Sequence, residues 1–348
     1  MNCNLQTVPF SNTSNRMNKC KTMRMQAPNY TVFISTETNV YRNLAIEEWL
    51  LEHSANEPMI LFYRNRDAVV IGRHQNPWLE ANTHRLRLEQ VALARRNTGG
   101  GAVYHDLGNL NYAFITSAND HNPPEHLSLI QATLQKFGIP NHLNKNKDII
   151  VRQRKVGGTA ATIRTQRALF HGTLLFHTKL QALGKYLQPS LLSAESKAVA
   201  SKPAPVINLT SIDPELNPER FIDVFISTLS EKAVYPPAVA DIHFDAQMTE
   251  LYRKYRSPEW IYGRTPVFTA KLGRQYAGFE NKIELHIRNG VVQNIFYGRS
   301  GDFSIGEILS KRWHNIPFDH PAMLAQLQPQ SDQQTERDLY QWFTQIHF

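Results

Sequence analysis

The stretch RRNTGGGAVYHDLGN, residues 95–109, combines residue types that could hold an anionic ligand. Arg95 and Arg96 precede three consecutive glycines, and Tyr104 and His105 follow them. Glycine N–H groups can approach a phosphate without a Cβ clash, and a neighbouring arginine adds charge-assisted hydrogen bonds. The stretch matches neither the GxGxxG fingerprint nor the P-loop. A loop that binds an anion or acyl phosphate, a functionless hairpin loop and a flexible connector all stay open on spacing alone.

A second candidate stretch, RKVGGTA at residues 154–160, places Lys155 just before a pair of glycines. A lysine at this place is either a solvated edge residue or a fixed point charge over a carboxylate or phosphate. Asp148 precedes an apolar run, where capping or a turn is the ordinary role. His171 precedes another apolar run, and it could pack in the core or form a pocket wall.

Apolar patterning assigns strands and helices around these stretches. The runs expected to form strands are YTVFIST (30–36), PMILFYR, AVVIG (68–72), VALARR (91–96), NLNYAFIT (109–116), KDIIV (147–151), RKVGGTA (154–160) and HGTLLFHT (171–178). Helices are predicted for NLAIEEWLLEH (43–53), PPEHLSLIQATLQKFG and NPERFIDVFISTLSEKA (217–233). Asn217 should cap the last helix ahead of Pro218, and Gly138 should end the second. The glycine stretch therefore connects two predicted strands.

The pattern changes near residue 245. Three short predicted strands, PVFTAKL, KIELHI and VVQNIFYG, are followed by a final helical stretch. Arg-Asn-Gly between the last two strands indicates a hairpin. We predict an α/β (α+β) protein with a mixed α/β domain over residues 30–245 and a small C-terminal α+β domain over residues 246–348. Residues 1–29 are expected to be a disordered extension.

Composition excludes several function classes. No apolar run in the 348 residues is long enough for a membrane helix, so no membrane partner is expected. Of the net charge of +8, four positive charges lie in residues 1–29, ahead of the first acidic residue, Glu37. The remainder is only mildly basic and has no Lys/Arg run with interleaved aromatics, which argues against nucleic acid. The two cysteines, Cys3 and Cys20, exclude a disulfide framework, and no metal site is predicted.

Residues 1–29 carry four basic residues, no acidic one, and many Asn, Met, Ser and Thr residues. This composition favours an organelle transit segment over a polar extension without a targeting role, and it lacks the apolar core of a secretory signal.

The motifs RRNTGGGAVYHDLGN, KVGGTA, HGTLL and SKAVAS, in this order, resemble those of the lipoate–protein ligase and lipoyltransferase family over roughly residues 30–245. VIGRHQNPW and SPEWIYGRTP are most similar to the mitochondrial lipoyltransferases of animals. The resemblance implies a mixed-sheet catalytic domain of the biotin/lipoate ligase type with a small accessory domain. It also implies chemistry that joins lipoic acid to one acceptor lysine through a lipoyl-nucleotide mixed anhydride.

The resemblance also implies roles for individual residues. Lys155 matches the family lysine that contacts both the acyl carbonyl and the phosphate, so it is the predicted catalytic residue. Asn146 stands where some relatives carry arginine, and Asp148 matches a motif aspartate near the nucleotide. The residues predicted to bind the lipoyl-nucleotide are Arg96, Thr98, Gly99, Gly100, Gly101, Tyr104, His105, Asn146, Asp148, His171, Thr173, Val199 and Ala200.

The implied function is a monomeric mitochondrial matrix lipoyltransferase that uses lipoyl-AMP or a carrier-bound lipoyl group. Its acceptors would be lipoyl domains of 2-oxo acid dehydrogenase E2 subunits and the glycine cleavage H protein. Two alternatives stay open: a full ligase that also uses ATP and magnesium, and a non-catalytic lipoyl-domain binder. The absence of any cysteine after Cys20 removes the thioester route of related octanoyl transferases. The absence of a GRGRxG loop weakens a biotin-ligase interpretation.

Overall fold

A computed structural model describes residues 29–53, 57–191, 193–231, 235–276, 279–297 and 303–348. The strands are β1 (Thr31–Ser35), β2 (Met59–Tyr63), β3 (Ala68–Ile71), β4 (Ala92–Arg95), β5 (Val103–His105), β6 (Asn109–Ser117), β7 (His142–Leu143), β8 (Ile149–Val151), β9 (Arg154–Gly157), β10 (Thr159–Ile163), β11 (Arg167–Leu175), β12 (Ala194–Ser196), β13 (Ala238–Ile242), β14 (Phe268–Tyr276), β15 (Phe279–Arg288) and β16 (Val291–Tyr297). The helices are α1 (Val40–His53), α2 (Pro77–Glu80), α3 (Thr83–Leu88), α4 (Pro123–Lys136), α5 (Leu180–Tyr186), α6 (Pro218–Ser230), α7 (Thr249–Arg256), α8 (Pro258–Ile261), α9 (Phe303–Trp313), α10 (His320–Leu324) and α11 (Gln334–Phe343). The predicted transit segment lies outside the described residues, apart from Asn29.

The main sheet is mixed, with the strand order β10-β11-β6-β2-β1-β13 among the described residues. β1 runs parallel to β2 and β13, whereas β2, β6, β11 and β10 pair antiparallel. Smaller sheets have the orders β4-β3-β5 and β7-β8-β9, and the C-terminal sheet has the order β12-β14-β15-β16. The predicted mixed α/β architecture is confirmed.

Helices cover both faces of the main sheet because its strands alternate apolar side chains. On β6, Tyr112 and Phe114 join one core with residues of α4 and α6, while Ala113 and Ile115 join another with residues of α1, α7 and α8. Successive side chains of a strand point to opposite faces, so one strand serves two cores. The result is a three-layer arrangement that holds the sheet rigidly under the loops at its edge.

Local signals place the helix ends and the hairpin as predicted. The Asn217 side chain accepts a hydrogen bond from the Arg220 N–H, and Pro218 is the first residue of α6. α4 ends at Lys136, and Gly138 follows with a φ of +67°. Asn289 and Gly290 connect β15 to β16 with φ values of +53° and +73°, which suit the two central positions of a type I′ turn.

A separate apolar core lies under the C-terminal sheet. It contains Phe268, Leu285, Trp313 and Phe343, and it also takes in Trp78 from α2. β12 pairs with β14, so the preceding part of the chain contributes an edge strand to this sheet. The division of the chain at residue 245 stays a prediction.

Helices α7 and α8 follow residue 245 but pack with the first part of the chain. Tyr255 and Trp260 share a core with Leu44 and Leu50 of α1. In the described part of the chain, no helix has both the length and the apolar character needed to cross a membrane.

Candidate active site

A cavity of about 320 Å³ lies against the main sheet, beside the glycine stretch. The predicted site residues in its wall are Arg96, Gly100, Gly101, His105, Asn146, Asp148, Lys155, His171, Thr173, Val199 and Ala200. Leu44 of α1 and Asn146 of the loop before β8 are 102 positions apart in sequence, and both line this cavity.

The cavity extends across four neighbouring strands. Thr159 of β10 pairs with Gly172 of β11, Thr173 pairs with Asn111 of β6, and Asn111 pairs with Tyr63 of β2. All five residues line the cavity. Three strand spacings make roughly 14 Å, which exceeds the roughly 9 Å of an extended eight-carbon chain. The cavity is therefore long enough for a lipoyl or octanoyl group.

The two ends of the cavity differ in exposure. We call the end formed by Asn146, Lys155 and Lys202 the open end, because Asn146 and Lys202 are exposed and the Lys155 side chain is partly so. We call the end formed by Tyr63, Asn65, His105 and Asn111 the buried end, because none of these residues is more than 5% exposed.

An ion pair marks the open end. Lys155 Nζ lies 2.8 Å from Asp148 Oδ1, and the lysine side chain is 27% exposed. The Lys155 backbone is held on both sides, since its N–H donates to Pro205 O at 2.9 Å and its carbonyl accepts from Ile207 N at 3.1 Å. The ammonium group is thus a positioned point charge at the cavity wall, and not a solvated edge lysine.

The loop before β8 fixes Asp148. Asn144 Oδ1 accepts hydrogen bonds from the N–H groups of Asn146 and Asp148, each at 2.9 Å. Asn144 Nδ2 donates to Asp148 Oδ2 at 3.0 Å. Lys147 takes a φ of +63° within this turn. The side chain of Asn144, which the sequence did not single out, therefore orients the carboxylate that pairs with Lys155.

Arg96 shapes the glycine stretch from inside. Its Nη2 donates to Gly101 O at 2.9 Å and to Gly99 O, and its Nε donates to Thr98 Oγ1 at 3.0 Å. Burial lowers the pKa of the Arg96 guanidinium to about 10, so it stays cationic at neutral pH. Its donors face loop carbonyls, which makes it a scaffold for the loop. The sequence predicts that an arginine beside the glycines supplies charge to a phosphate, whereas the Arg96 donors here bind the loop itself.

The glycines of this stretch answer a steric need. Gly100 has a φ of +89°, which favours glycine. A Cβ on Gly72 would lie 2.2 Å from Gly100 O, so the β3 end and the glycine stretch approach each other more closely than a side chain allows. The ordered contacts exclude the flexible-connector interpretation.

Arg95 has a different role from its neighbour. It is fully buried, and its Nε and Nη groups donate to the carbonyls of Gly72, Gln75 and Ile261, among others. In return, Trp260 Nε1 donates to Arg95 O at 2.7 Å. Burial lowers the pKa of Arg95 to about 10. This side chain ties the loop after β3 to the segment that begins at α8.

A buried polar network supports the cavity wall. His171 Nδ1 lies 3.0 Å from Glu47 Oε2, and its Nε2 lies 2.8 Å from Thr98 Oγ1. Tyr63 Oη donates to the same Glu47 carboxylate at 3.1 Å. The network links α1, β2, β11 and the glycine stretch. Of the two roles considered for His171, the pocket wall is the one observed.

Three predicted residues do not line the cavity. Tyr104 stacks on Tyr186 with ring centroids 5.6 Å apart, because it lies between Val103 and His105 on β5 and points to the opposite face. Thr98 and Gly99 lie behind the wall, where they accept hydrogen bonds from Arg96.

The segment from Val199 to Ser201 closes one side of the cavity. Gln75 Nε2 donates to Ser201 Oγ at 3.0 Å, Ala102 N donates to the same oxygen at 2.8 Å, and Ser201 Oγ donates to Glu80. Val199 remains half exposed. The segment is therefore anchored at Ser201.

Sequence patterning missed much of the wall. The apolar contributors Leu44, Val70 and Val103 come from three separate elements, and only their core-like character was visible in the sequence. Glu47 could have been noticed in the sequence, because it is a charged residue within the apolar pattern of α1. In the structure it is 3% exposed, and a buried carboxylate needs a partner. Across the described residues, no three His, Cys, Asp or Glu side chains gather closely enough to hold a metal ion.

Comparisons with known proteins agree with this geometry. Residues 39–230 match the lipoyl protein ligase A/B catalytic domain, which is more than half of the chain. The chain belongs to this family. It is 35% identical over 251 residues to lipoate-protein ligase A of Bdellovibrio bacteriovorus, covering 69% of this chain and 74% of the relative. It is 34% identical over 282 residues to the human mitochondrial lipoyl amidotransferase LIPT1, covering 76% of this chain and 75% of the relative.

Solved structures of this family have the same fold. The crystal structure of P. falciparum LipL1 in complex with lipoate superimposes with a TM-score of 0.61 at 25% identity, covering 91% of this chain and 99% of that one. The putative lipoate protein ligase Ta0514 from T. acidophilum gives a TM-score of 0.56 at 25% identity, covering 68% and 100%. The predicted lipoate-ligase fold is confirmed. Family membership makes this chain an acyl-transferring enzyme of protein lipoylation.

Proposed function

We propose that the protein transfers a lipoyl group from lipoyl-AMP, or from another activated or carrier-bound donor, to a specific lysine of an acceptor domain. The observation that carries this proposal is Lys155, a positioned ammonium group at the open end of a cavity long enough for the acyl chain. The apolar residues Leu44, Val70 and Val103 line the cavity and suit the hydrocarbon part of the lipoyl chain.

Lys155 supplies what such a transfer needs. The acceptor amine attacks the acyl carbonyl carbon, a C–N bond forms, the C–O bond to the phosphate breaks, AMP leaves, and the amine releases a proton. Because AMP is a good leaving group, the step requires positioning and charge stabilisation more than a protein nucleophile. An ammonium group between the carbonyl and a phosphate oxygen polarises the first and stabilises charge that develops on the second.

The glycine stretch and the open end provide the remaining contacts. Gly100 and Gly101 bring backbone close to the ligand, while Arg96 holds their carbonyls in place. Asn146, Asp148 and Lys202 line the cavity on the side where a nucleotide would extend out of it. Thr173, Val199 and Ala200 complete the proposed contacts of the lipoyl-nucleotide.

A full ligase, which also makes the adenylate from ATP and lipoate, is the second candidate. The chain is 35% identical to a protein named lipoate-protein ligase A and 34% identical to a protein named lipoyl amidotransferase. These similarities support the ligase and the transferase about equally. Purified protein should be given an acceptor lipoyl domain with either lipoyl-AMP or ATP, magnesium and lipoate. The transferase proposal predicts lipoylated acceptor from lipoyl-AMP alone. Equal product from both mixtures would establish the ligase instead.

The same assay tests a non-catalytic role. A protein that binds the acceptor domain and lipoylates it from neither mixture, nor from a lipoyl-loaded carrier domain, would be the lipoyl-domain binder, and both enzyme proposals would fail. The acceptors we propose are E2 lipoyl domains of 2-oxo acid dehydrogenase complexes and the glycine cleavage H protein, with the enzyme acting as a monomer.

We also propose that the protein acts in the mitochondrial matrix. The basic, acid-free composition of residues 1–29 supports this, as do the human and mouse relatives, whose names place them in mitochondria. A fluorescent fusion of the full chain should enter mitochondria, and the same fusion without residues 1–29 should not. Unchanged import of the shortened fusion would contradict the proposal.

A further inference from the structure

His105 lines the buried end of the cavity and has a ring nitrogen without a hydrogen-bond partner among the described residues. The residue is 4% exposed, and this nitrogen is Nε2. A buried polar group without a partner costs free energy, and such groups are rare in folded proteins. A partner supplied by the cavity's occupant would remove that cost.

A chain of side chains determines which ring nitrogen of His105 carries the proton. Asn43 Oδ1 accepts from Ser35 Oγ at 2.7 Å, and Asn43 Nδ2 faces the Arg64 carbonyl at 3.0 Å, which fixes the orientation of the Asn43 amide. Asn43 Nδ2 also donates to Asn65 Oδ1 at 2.8 Å. The Asn65 amide is thereby oriented as well, with its Nδ2 group toward the histidine.

The imidazole must then accept at one nitrogen and donate at the other. Asn65 Nδ2 lies 3.0 Å from His105 Nδ1, so Nδ1 carries the lone pair and Nε2 carries the hydrogen. Burial, together with the nearby Arg96 and His171, lowers the pKa of His105 to about 3. The ring is neutral at physiological pH and offers one N–H donor.

We propose that the Nε2–H group of His105 recognises the distal end of the acyl group and favours a sulfur-containing ring over a plain alkyl end. This inference rests on the proposed function and names the acyl group that the site prefers. With the carbonyl at Lys155, the far end of an eight-carbon chain lies at the buried end of the cavity. A ring sulfur there offers weak acceptor lone pairs, whereas the terminal methyl of an octanoyl group offers none.

The rest of the wall does not make this distinction. Leu44, Val70 and Val103 accept a hydrocarbon chain whatever its terminal atoms. An octanoyl group would fill the cavity and leave Nε2–H without an acceptor. A site with an unpaired buried donor disfavours the analogue that lacks the matching group, even where the apolar contacts of the two groups are the same.

The test compares lipoyl-AMP with octanoyl-AMP as donors to an acceptor lipoyl domain. His105→Phe keeps a ring and removes the donor. We expect the ratio of kcat/KM for lipoyl over octanoyl transfer to fall roughly threefold to tenfold in this variant, the range for one neutral hydrogen bond. A ratio equal to that of the wild type would overturn the proposal, even if both rates fall.

His126→Phe is the matched control. His126 is also a buried histidine with an unpartnered Nε2 and a pKa that burial lowers to about 4, but it stacks on Phe114 outside the cavity wall. The control should keep the wild-type ratio. A fall of the same size in both variants would mean that the effect is structural and would overturn the proposal.

A second measurement needs neither a variant nor turnover. Histidine ring ¹⁵N NMR of the wild-type protein should show His105 protonated at Nε2, with a resonance that moves on adding lipoate and moves less on adding octanoate. Equal shifts with both acids, as a bridging water would give, would overturn the proposal. If the wild-type protein transfers neither acyl group, the proposed function fails, while the NMR comparison still tests recognition by His105.

Discussion

The two ends of the cavity use polar side chains in opposite ways. At the open end, Lys155 and Asp148 are charged and partly reach solvent, and the lysine is a point charge that a ligand oxygen can approach. At the buried end, His105 and Asn65 are neutral and packed, and each hydrogen bond there fixes the next. In the proposed function, this cavity separates the chemistry, which needs charge, from recognition, which needs a fixed pattern of neutral donors.

The largest expected effect is at the open end. Lys155→Ala removes the ammonium group and should raise the barrier for transfer from lipoyl-AMP by about 3–4 kcal/mol, which is a loss of roughly 200-fold to 900-fold in rate. Single-turnover lipoylation of an acceptor domain measures it. Lys145→Ala, an exposed lysine of the neighbouring loop that does not line the cavity, is the control. A near wild-type rate for Lys155→Ala would show that the ammonium group at the open end does not contribute to the transfer step.

The second-largest effect is expected where the end of β3 packs against the glycine stretch in the cavity wall. Gly72→Ala places a Cβ against Gly100 O and should destabilise the protein by about 3 kcal/mol, the upper part of the usual range for overpacking, because the neighbour is backbone. Urea unfolding gives the change in free energy. Gly184→Ala in α5 meets no atom within 4 Å and should be neutral or slightly stabilising. Equal stability of both variants would mean that the β3 end and the glycine stretch are not closely packed.

A smaller effect is expected in how the free energy of unfolding depends on pH, through His105 at the buried end. Burial lowers the pKa of His105 to about 3, whereas in the unfolded chain it is about 6.5. As pH falls below 6.5, the unfolded state binds the proton first, so the stability that depends on the neutral ring is lost toward pH 3. At pH 5 this loss is about 2 kcal/mol.

The free energy of unfolding at pH 7 and pH 5 measures this loss. The decline on acidification should be smaller in His105→Phe than in the wild-type protein, and likewise in His126→Phe. A decline in His105→Phe that is parallel to the decline in the wild type would contradict a neutral buried end.

Local motifs included Lys155 of the open end and His105 of the buried end, but not Asn65 or Asn111 of the buried end. The glycine stretch and Lys155 lie within short motifs, and the helix start at Asn217 and the turn at Asn289 depend on neighbouring residues alone. Asn65, which follows β2, reaches the cavity only through the strand order β11-β6-β2, which no local pattern encodes.

The sequence also did not show which of two adjacent residues with similar chemistry faces the cavity. Arg95 and Arg96 look equivalent in sequence, yet Arg95 ties α8 to the loop after β3 and Arg96 supports the glycine carbonyls. Tyr104 and His105 likewise point to opposite faces of β5. Alternation along a strand assigns neighbours to different faces, but which face is the cavity depends on the tertiary packing.

A crystal structure with a non-hydrolysable lipoyl-AMP analogue would show the direction of the acyl chain in the cavity. We expect the acyl carbonyl and a phosphate oxygen within hydrogen-bond distance of Lys155 Nζ, and the dithiolane ring against His105. A ring at the open end, with the nucleotide away from Lys155, would contradict this expectation.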